Sequence, residues 1–250
     1  MIPRLYLDNE LEESLRIPLS SDQSHYLRNV LRRKEGDNIV IFNGRQGEYH
    51  ATLERLSKKD LGLRVGLCKR PQYQEGDIWL CHAPLQRNAQ EYLIEKATEL
   101  GVSRFLPVTT QYSGPHRLNL TRFKAIAKEA AEQTERLTLP AFDEPTSLSE
   151  ILRNWPEKRQ LIICAEAGET IPLARFLQST SYNLFALMTG PEGGYAETEL
   201  DLFKKFPFVT CVGLGPRILR AETASLAALA IFQAVKGDGD ERAPRPMRDL

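Results

Sequence analysis

Two glycine-rich segments in the last third of the chain have residue types and spacing suited to chemistry. The first, Thr189-Gly190-Pro191-Glu192-Gly193-Gly194, directly follows the apolar run Leu184–Met188. A glycine-rich loop at the carboxyl end of a buried strand lets a ligand come close to the backbone. Taken alone, it could equally be a tight turn. The second, Gly213-Leu214-Gly215-Pro216-Arg217-Ile218-Leu219-Arg220-Ala221-Glu222-Thr223-Ala224, follows Val209–Val212 and leads into the small and apolar stretch Ser225–Val235. Such a stretch predicts a helix buried on most sides, in a core or at a subunit interface. Buried charges are expensive unless paired, so two arginines and a glutamate at its entrance point to a functional role. Neither segment is G-x-G-x-x-G, and no such fingerprint follows the first strand of this half, which counts against a dinucleotide site.

Two further groups could meet a polyanion. Ser20 and Gln23 form a candidate capping box for a helix running to about Arg33. At about 100° per residue, that helix places His25, Arg28 and Arg32 on one face and Leu27, Val30 and Leu31 opposite. Arg33 and Lys34 extend the basic patch, which is either a solvated face or a set of phosphate contacts. Glu129, Gln133 and Arg136, at i, i+4 and i+7 of a later helix, form one polar stripe beside Phe123, Ile126, Ala127, Ala130 and Leu137. From periodicity alone this is ordinary surface pairing. Thr98-Glu99-Leu100-Gly101-Val102 reads as a helix ending at a glycine before a strand.

The elements that must hold these groups fall into two halves. Residues 1–72 are β-rich: the runs Arg4–Leu7, Asn38–Phe42 and Leu61–Val65 are punctuated by Gly36-Asp37 and Asn43-Gly44 turns. Over residues 73–250, apolar strands at Ile78–His82, Phe105–Val108, Leu161–Cys164, Leu184–Met188 and Val209–Val212 alternate with helices. The helices fall near 88–100, 121–137, 147–155, 171–178, 197–206 and 222–236. That rhythm predicts a parallel sheet covered on both faces. Cys68–Gly76 reads as the linker and Gly237–Leu250 as a polar tail leaving the core.

Composition narrows the classes. With 42% hydrophobic and 26% charged residues the chain is globular, and 33 basic against 33 acidic residues leave any nucleic-acid contact to local clusters. The four cysteines form no C-x-x-C pair, so neither a metal site nor a disulfide framework is expected. Met1-Ile-Pro-Arg opens no secretory signal, and no apolar run approaches the roughly 20 residues of a membrane span, so the expected compartment is the cytoplasm.

Taken together, these segments resemble the SPOUT-superfamily methyltransferases that modify N3 of a uridine in small-subunit (16S) ribosomal RNA. The matching pieces are His25–Arg32, Glu95–Val102, Glu129-x-x-x-Gln133-x-x-Arg136, Gly190–Gly194 and Leu214–Ala224. The resemblance implies an N-terminal PUA-like β-barrel that binds RNA, followed by an α/β trefoil-knot (SPOUT) methyltransferase domain. It also implies a homodimer, S-adenosyl-L-methionine folded into the knot, and an RNA site built across subunits. Carried over by position, the cofactor would be held by Ala165, Thr189, Gly190, Pro191, Glu192, Gly193, Gly213, Leu214, Gly215, Ile218, Leu219 and Thr223. The RNA would meet His25, Arg28, Arg32, Arg87, Glu129, Gln133 and Arg136, and Arg220 and Glu222 would be catalytic. The chain departs from the family pattern at Gln86 and Ala89, where basic residues are usual, at Tyr112, often arginine, and at Ala221, commonly threonine. Arg87 is expected to take over a shifted contact.

Methyl transfer to a uracil imide nitrogen needs the methyl in line with N3, departure of the N3 proton, and a uracil held out of its stack. Orientation alone can supply ~7–11 kcal/mol, so no covalent intermediate is required. Arg220 is expected to stabilise the developing imidate charge by donating to a carbonyl oxygen, and Glu222 to hold Arg220 or help with the proton. Two alternatives stand beside this reading. One is a ribose 2′-O-methyltransferase of the same superfamily, against which the Glu129–Arg136 piece and the N-terminal barrel argue. The other is a non-catalytic ribosome-assembly factor, which would have no need to keep the cofactor loops.

Overall fold

The computed structural model describes residues 2–57 and 60–241. Its first elements are β1 (Arg4–Tyr6), β2 (Arg16–Pro18), α1 (Ser21–His25), β3 (Asn38–Phe42), β4 (Glu48–Arg55) and β5 (Leu61–Arg70). There follow β6 (Ile78–His82), α2 (Arg87–Glu99), β7 (Val102–Thr109), α3 (Leu120–Gln133), β8 (Ala141–Phe142), β9 (Thr146–Ser147) and α4 (Leu148–Arg153). The last are β10 (Arg159–Cys164), β11 (Ile171–Pro172), α5 (Leu173–Ser179), β12 (Leu184–Thr189), α6 (Glu197–Phe203), β13 (Val209–Gly213) and α7 (Ala221–Val235). Two compact units result. One runs to Glu75 and takes in Ala127–Leu139; the other comprises Gly76–Ile126 and the chain from Pro140 onward, so the division falls inside α3.

In the first unit the strands pair in the order β1-β3-β4-β5-β2, with β1 parallel to β3 and the other neighbours antiparallel. Leu5, Ile17, Leu27, Ile39, Ile41, Leu53 and Leu63 fill its core. β4 was not among the predicted strands. Only Glu48, Ala51 and Leu53 along it are buried, so its apolar signal is thin. β5 continues through Arg70 into the stretch predicted as linker, because Glu48 and Tyr49 of β4 pair with Arg70 and Cys68.

The predicted capping box is present: Ser20 Oγ accepts from Gln23 N (3.2 Å) and Gln23 Oε1 accepts from Ser20 N (2.9 Å). The regular helix to Arg33 is not. After His25 the chain widens into a π-turn over Tyr26–Val30, with Leu31 N donating to Tyr26 O, and Arg32 takes φ 54°. The wider turn breaks the 100° spacing, so Leu27 is buried while Val30, expected opposite the basic face, is 59% exposed.

Residues 127–139 join this unit because β1 and β5 bind the end of α3. Glu48, fully buried, accepts from Arg4 Nε (2.7 Å) and Arg70 Nη2 (2.7 Å) and pairs with Lys69 Nζ (3.0 Å). The two guanidinium groups then donate to carbonyls in the last turn of α3 and just past it: Arg4 to Ala131 O (2.9 Å) and Arg136 O (2.8 Å), Arg70 to Glu135 O (2.8 Å). Cations placed there satisfy acceptors that a helix end leaves unpaired. Burial pushes the Glu48 carboxyl up, but the Arg70 hydrogen bonds and the Arg4 and Lys69 charges outweigh it and hold it at about 2.

The second unit is a parallel sheet in the order β11-β13-β10-β12-β6-β7-β8, with β9 also on β7. The predicted strands all lie in it, each near its expected bounds. Cys81, Leu106, Leu161, Ile163, Ala186 and Met188 form a core on which Trp155, Phe203 and Phe208 pack. β13 lies outside β10, yet α7, which follows it, packs on β12, α2 and α5. Gly237 N and Gly239 N donate back to Phe232 O and Gln233 O, so the start of the predicted tail closes the end of α7; residues 242–250 of that tail lie outside the described residues. Among the described residues no helix is long and apolar enough to cross a membrane, and no cluster of His, Cys, Asp or Glu could hold a metal ion.

Candidate active site

The carboxyl ends of β10, β12 and β13 stand side by side, Cys164 paired in register with Thr189 and with Val212. The loops that leave them, residues 164–167, 189–195 and 213–221, enclose a cleft of about 600 Å³. This is where ligands bind in parallel α/β sheets. Thr189 ties the middle loop to the last helix: its Oγ1 lies 2.7 Å from Ser225 Oγ, and Ser225 Oγ donates to Ala221 O (2.9 Å). Thr189 O also accepts from Ala83 N (3.2 Å) and Ala165 N donates to Val212 O (3.0 Å), so all three loop starts are pinned.

Two points of this wall favour glycine. A Cβ on Gly190 would stand 3.1 Å from the Tyr195 ring. Gly215 takes φ +110°, a backbone conformation that a side chain resists wherever it points. Tyr195 lies under the loop with its hydroxyl buried, and burial pushes its phenol well up.

Of the residues expected to hold the cofactor, Ala165, Thr189, Gly190, Pro191, Glu192, Gly193, Gly213, Leu214, Gly215, Ile218 and Leu219 all line the cleft. Arg220 lines it too. Glu222 and Thr223 do not: on α7, Ala221 and Ala224 turn toward the cleft and these two turn away. Thr170, Tyr195, Leu200 and Ser225 were missed. Ser225 had a signal, the one hydroxyl in the apolar stretch Ser225–Val235.

The burial argument for Arg220 fails within a single chain. Arg217 and Arg220 are exposed and Ile218 is 85% exposed. The reason is that α7 buries only Ala221, Ser225, Ala228, Leu229 and Phe232, one stripe of an otherwise apolar helix. Its other face, including Leu226, Ala227, Ala230 and Ile231, is left half-covered or open.

The residues expected to meet RNA are less uniform. His25, Arg28 and Arg32 are exposed on the first unit, as are Glu129 and Gln133. Arg136 does not complete their stripe. α3 ends at Gln133, Glu135 takes φ 62°, and Arg136, only 7% exposed, donates to Glu75 Oε2 (3.0 Å). Glu75 also accepts from Leu137 N (2.6 Å) and Thr138 Oγ1 (2.6 Å), so this pair organises the chain after α3. In the second unit Arg87 is open to solvent and pairs with Glu91 (3.0 Å), which also takes Arg122.

A parallel sheet with three loops at adjacent strand ends, two of them glycine-rich, and a helix that returns across it, defines a SPOUT-type α/β knot methyltransferase domain, which follows a PUA-like barrel in the sequence. The model of an RNA methyltransferase domain matches residues 72–233, and that of an RNA methyltransferase PUA domain residues 19–65. The chain is 31% identical over 230 residues to ribosomal RNA small subunit methyltransferase E of Rickettsia conorii, covering 91% of this chain and 93% of that one. It is 29% identical to the Bacillus subtilis protein of the same name, over 92% and 95%. The crystal structure of ribosomal RNA small subunit methyltransferase E from Neisseria gonorrhoeae, bound to S-adenosyl methionine, superposes with a TM-score of 0.83 at 28% identity, over 95% and 99% of the two chains. A Legionella pneumophila protein solved with bound SAM gives 0.81 at 28%, over 94% and 98%. The chain belongs to the ribosomal RNA small subunit methyltransferase E family.

Proposed function

We propose that this protein methylates N3 of a uridine in 16S ribosomal RNA, with S-adenosyl-L-methionine as methyl donor. The observation that carries the reading is the cleft at three parallel strand ends with Arg220 exposed on its lip. The walls fit the cofactor: about 600 Å³ lies within the ~300–1,000 Å³ of ligand sites, and glycines open the backbone for hydrogen bonds to an adenine. Bound there, S-adenosyl-L-methionine supplies an electrophilic methyl group. Backbone groups of 189–194 and 213–219 hold it, and Ala165 closes the third side.

Arg220 donates to a uracil carbonyl oxygen, which stabilises the charge that appears as the N3 proton passes to solvent water. Glu222 and Thr223, on the first turn of α7, face away from the cleft and take no direct part in the transfer. His25, Arg28 and Arg32 contact phosphates, Arg87 extends the grip, and Glu129 and Gln133 offer hydrogen bonds to RNA. Arg136 serves this surface through Glu75, by shaping the chain beside it.

The working form is a homodimer in the cytoplasm. Support comes from the open apolar face of α7 and from Ile218, which a second copy would cover. The substrate is 16S rRNA, held within the small ribosomal subunit. Incubation of purified protein and cofactor with unmodified small subunits, followed by nucleoside mass spectrometry, should yield 3-methyluridine. A 2′-O-methylated nucleoside, or no methylated product, would overturn the reading.

A further inference from the structure

The turn after β7 carries an exposed aromatic ring beside the cleft. Thr110 and Ser113 close that turn reciprocally, Ser113 N donating to Thr110 O (3.1 Å) and Thr110 N to Ser113 Oγ (2.9 Å). Gln111 N donates to Glu199 Oε1 (2.8 Å), and Glu199 Oε2 accepts from Ala196 N (3.0 Å). One buried carboxylate thus fastens the turn to the segment just past the Gly190–Gly194 loop. Tyr112 is thereby set against Gly193: its Cβ lies 3.1 Å from where a Cβ on that glycine would stand. Gly193 lines the cleft, and 51% of Tyr112 remains exposed. A flat aromatic side chain on a turn already tied down loses little further freedom when it binds something.

We propose that Tyr112 is the stacking platform for the target uracil, holding the base once it has left its own stack. The assignment rests on the methyl-transfer reading above. A base can present N3 to an in-line methyl only when it is unstacked, and RNA-binding proteins hold such bases on aromatic planes. Of the two tyrosines that touch the glycine loop, Tyr195 is tucked under Gly190 with its hydroxyl buried, whereas Tyr112 keeps half its surface free. The ring carries the role and the hydroxyl does not.

The test measures single-turnover methylation of small subunits at limiting RNA, cofactor affinity by calorimetry, and melting temperature, for the full chain, Tyr112→Ala, Tyr112→Leu and Tyr112→Phe. Tyr112→Ala should lower methylation by about 10- to 100-fold, the usual scale of one lost base stack. Its cofactor affinity should stay within about twofold of wild type, because Tyr112 stands beside the cleft rather than in its wall. Tyr112→Leu, which keeps bulk without a flat face, should show the same loss, and Tyr112→Phe should recover turnover. Methylation by Tyr112→Ala and Tyr112→Leu at the wild-type rate overturns the proposal. So does a matching fall in cofactor affinity, which would make Tyr112 a prop for Gly193. A wild-type chain that transfers no methyl group fails the underlying reading instead, and the stacking assignment falls with it.

Discussion

The Glu48 hub of the first unit and the lip of the cleft in the second use the same residue types to opposite ends. Glu48 is fully buried, Arg4 and Arg70 are largely covered and both pair with it, and each also donates to a backbone carbonyl, although Arg70 Nη1 finds no partner among the described residues. Arg217 and Arg220 stand in water on a glycine-rich loop. Burial makes a charge costly unless it is fully paired, and a fully paired charge has nothing left to offer a substrate. The buried arginines here hold the fold: Arg136 on Glu75, and Arg159 on Asp77 and over the Trp79 ring at the amino end of the sheet. The arginines free to meet a ligand are the exposed ones.

The largest effect on cofactor binding should come from the cleft's backbone. Gly215→Val puts a branched side chain where φ is +110°, and Gly190→Val drives one into the Tyr195 ring. Either should reduce cofactor affinity by about 100-fold or more, equivalent to ~2.7 kcal/mol, while the chain stays folded by circular dichroism. Wild-type affinity in both by calorimetry would remove these loops from the site.

The hub should behave in the reverse way. Glu48→Ala removes the one carboxylate between two largely covered guanidinium groups and should cost about 3–5 kcal/mol in denaturant melts, the range for breaking a buried pair. Cofactor affinity of the folded fraction should be unchanged. Destabilisation below about 1 kcal/mol would mean that the pairs of Arg4 and Arg70 are dispensable.

Exposed charges of the first unit should matter for RNA and little else. Arg28→Glu with Arg32→Glu should weaken RNA binding and flatten its salt dependence by about one unit of slope per lost phosphate contact. Titration at three salt concentrations decides this, and an unchanged slope makes the patch a solvated face.

The smallest effect concerns His82, at the carboxyl end of β6. It is buried, with Nδ1 3.1 Å from Ala83 O, and burial pushes it down to about 4 from 6.5. The unfolded chain therefore takes up this proton first. The stability involved is intact above about pH 6.5 and is lost as the pH falls through about 4. Between pH 7 and 5 the wild type should lose ~2 kcal/mol that His82→Gln does not. Equal losses in both chains would show that His82 is not the group responsible. The corresponding window for Glu48 is lower, from about 4.5 down to about 2.

What could be read without coordinates follows from which signals are local. The apolar runs of β6, β10, β12 and β13 and the Ser20 capping box are local, and so are the glycine loops that shape the cleft. The π-turn at Tyr26–Val30 is not visible in a periodicity that assumes equal steps. The exit of Arg136 from its stripe depends on Glu75, 61 positions away in sequence. The burial assigned to Arg220 came from the apolarity of α7, which is real; one chain simply covers only one of that helix's faces. Composition reports that a face wants cover and is silent on whether this chain or another supplies it.

The claim that exposed charge does the chemistry while buried charge holds the fold meets its most direct test at Arg220. Arg220→Lys keeps the charge and loses the planar fork. Single-turnover methylation at saturating cofactor and RNA should fall by about 10²–10³, the usual contribution of one such donor, with melting temperature and cofactor affinity unchanged. If Arg220 instead pairs with Glu222 to pin the loop, the same variant will melt earlier and bind cofactor more weakly, with turnover per bound cofactor nearly intact, and that result would contradict the account.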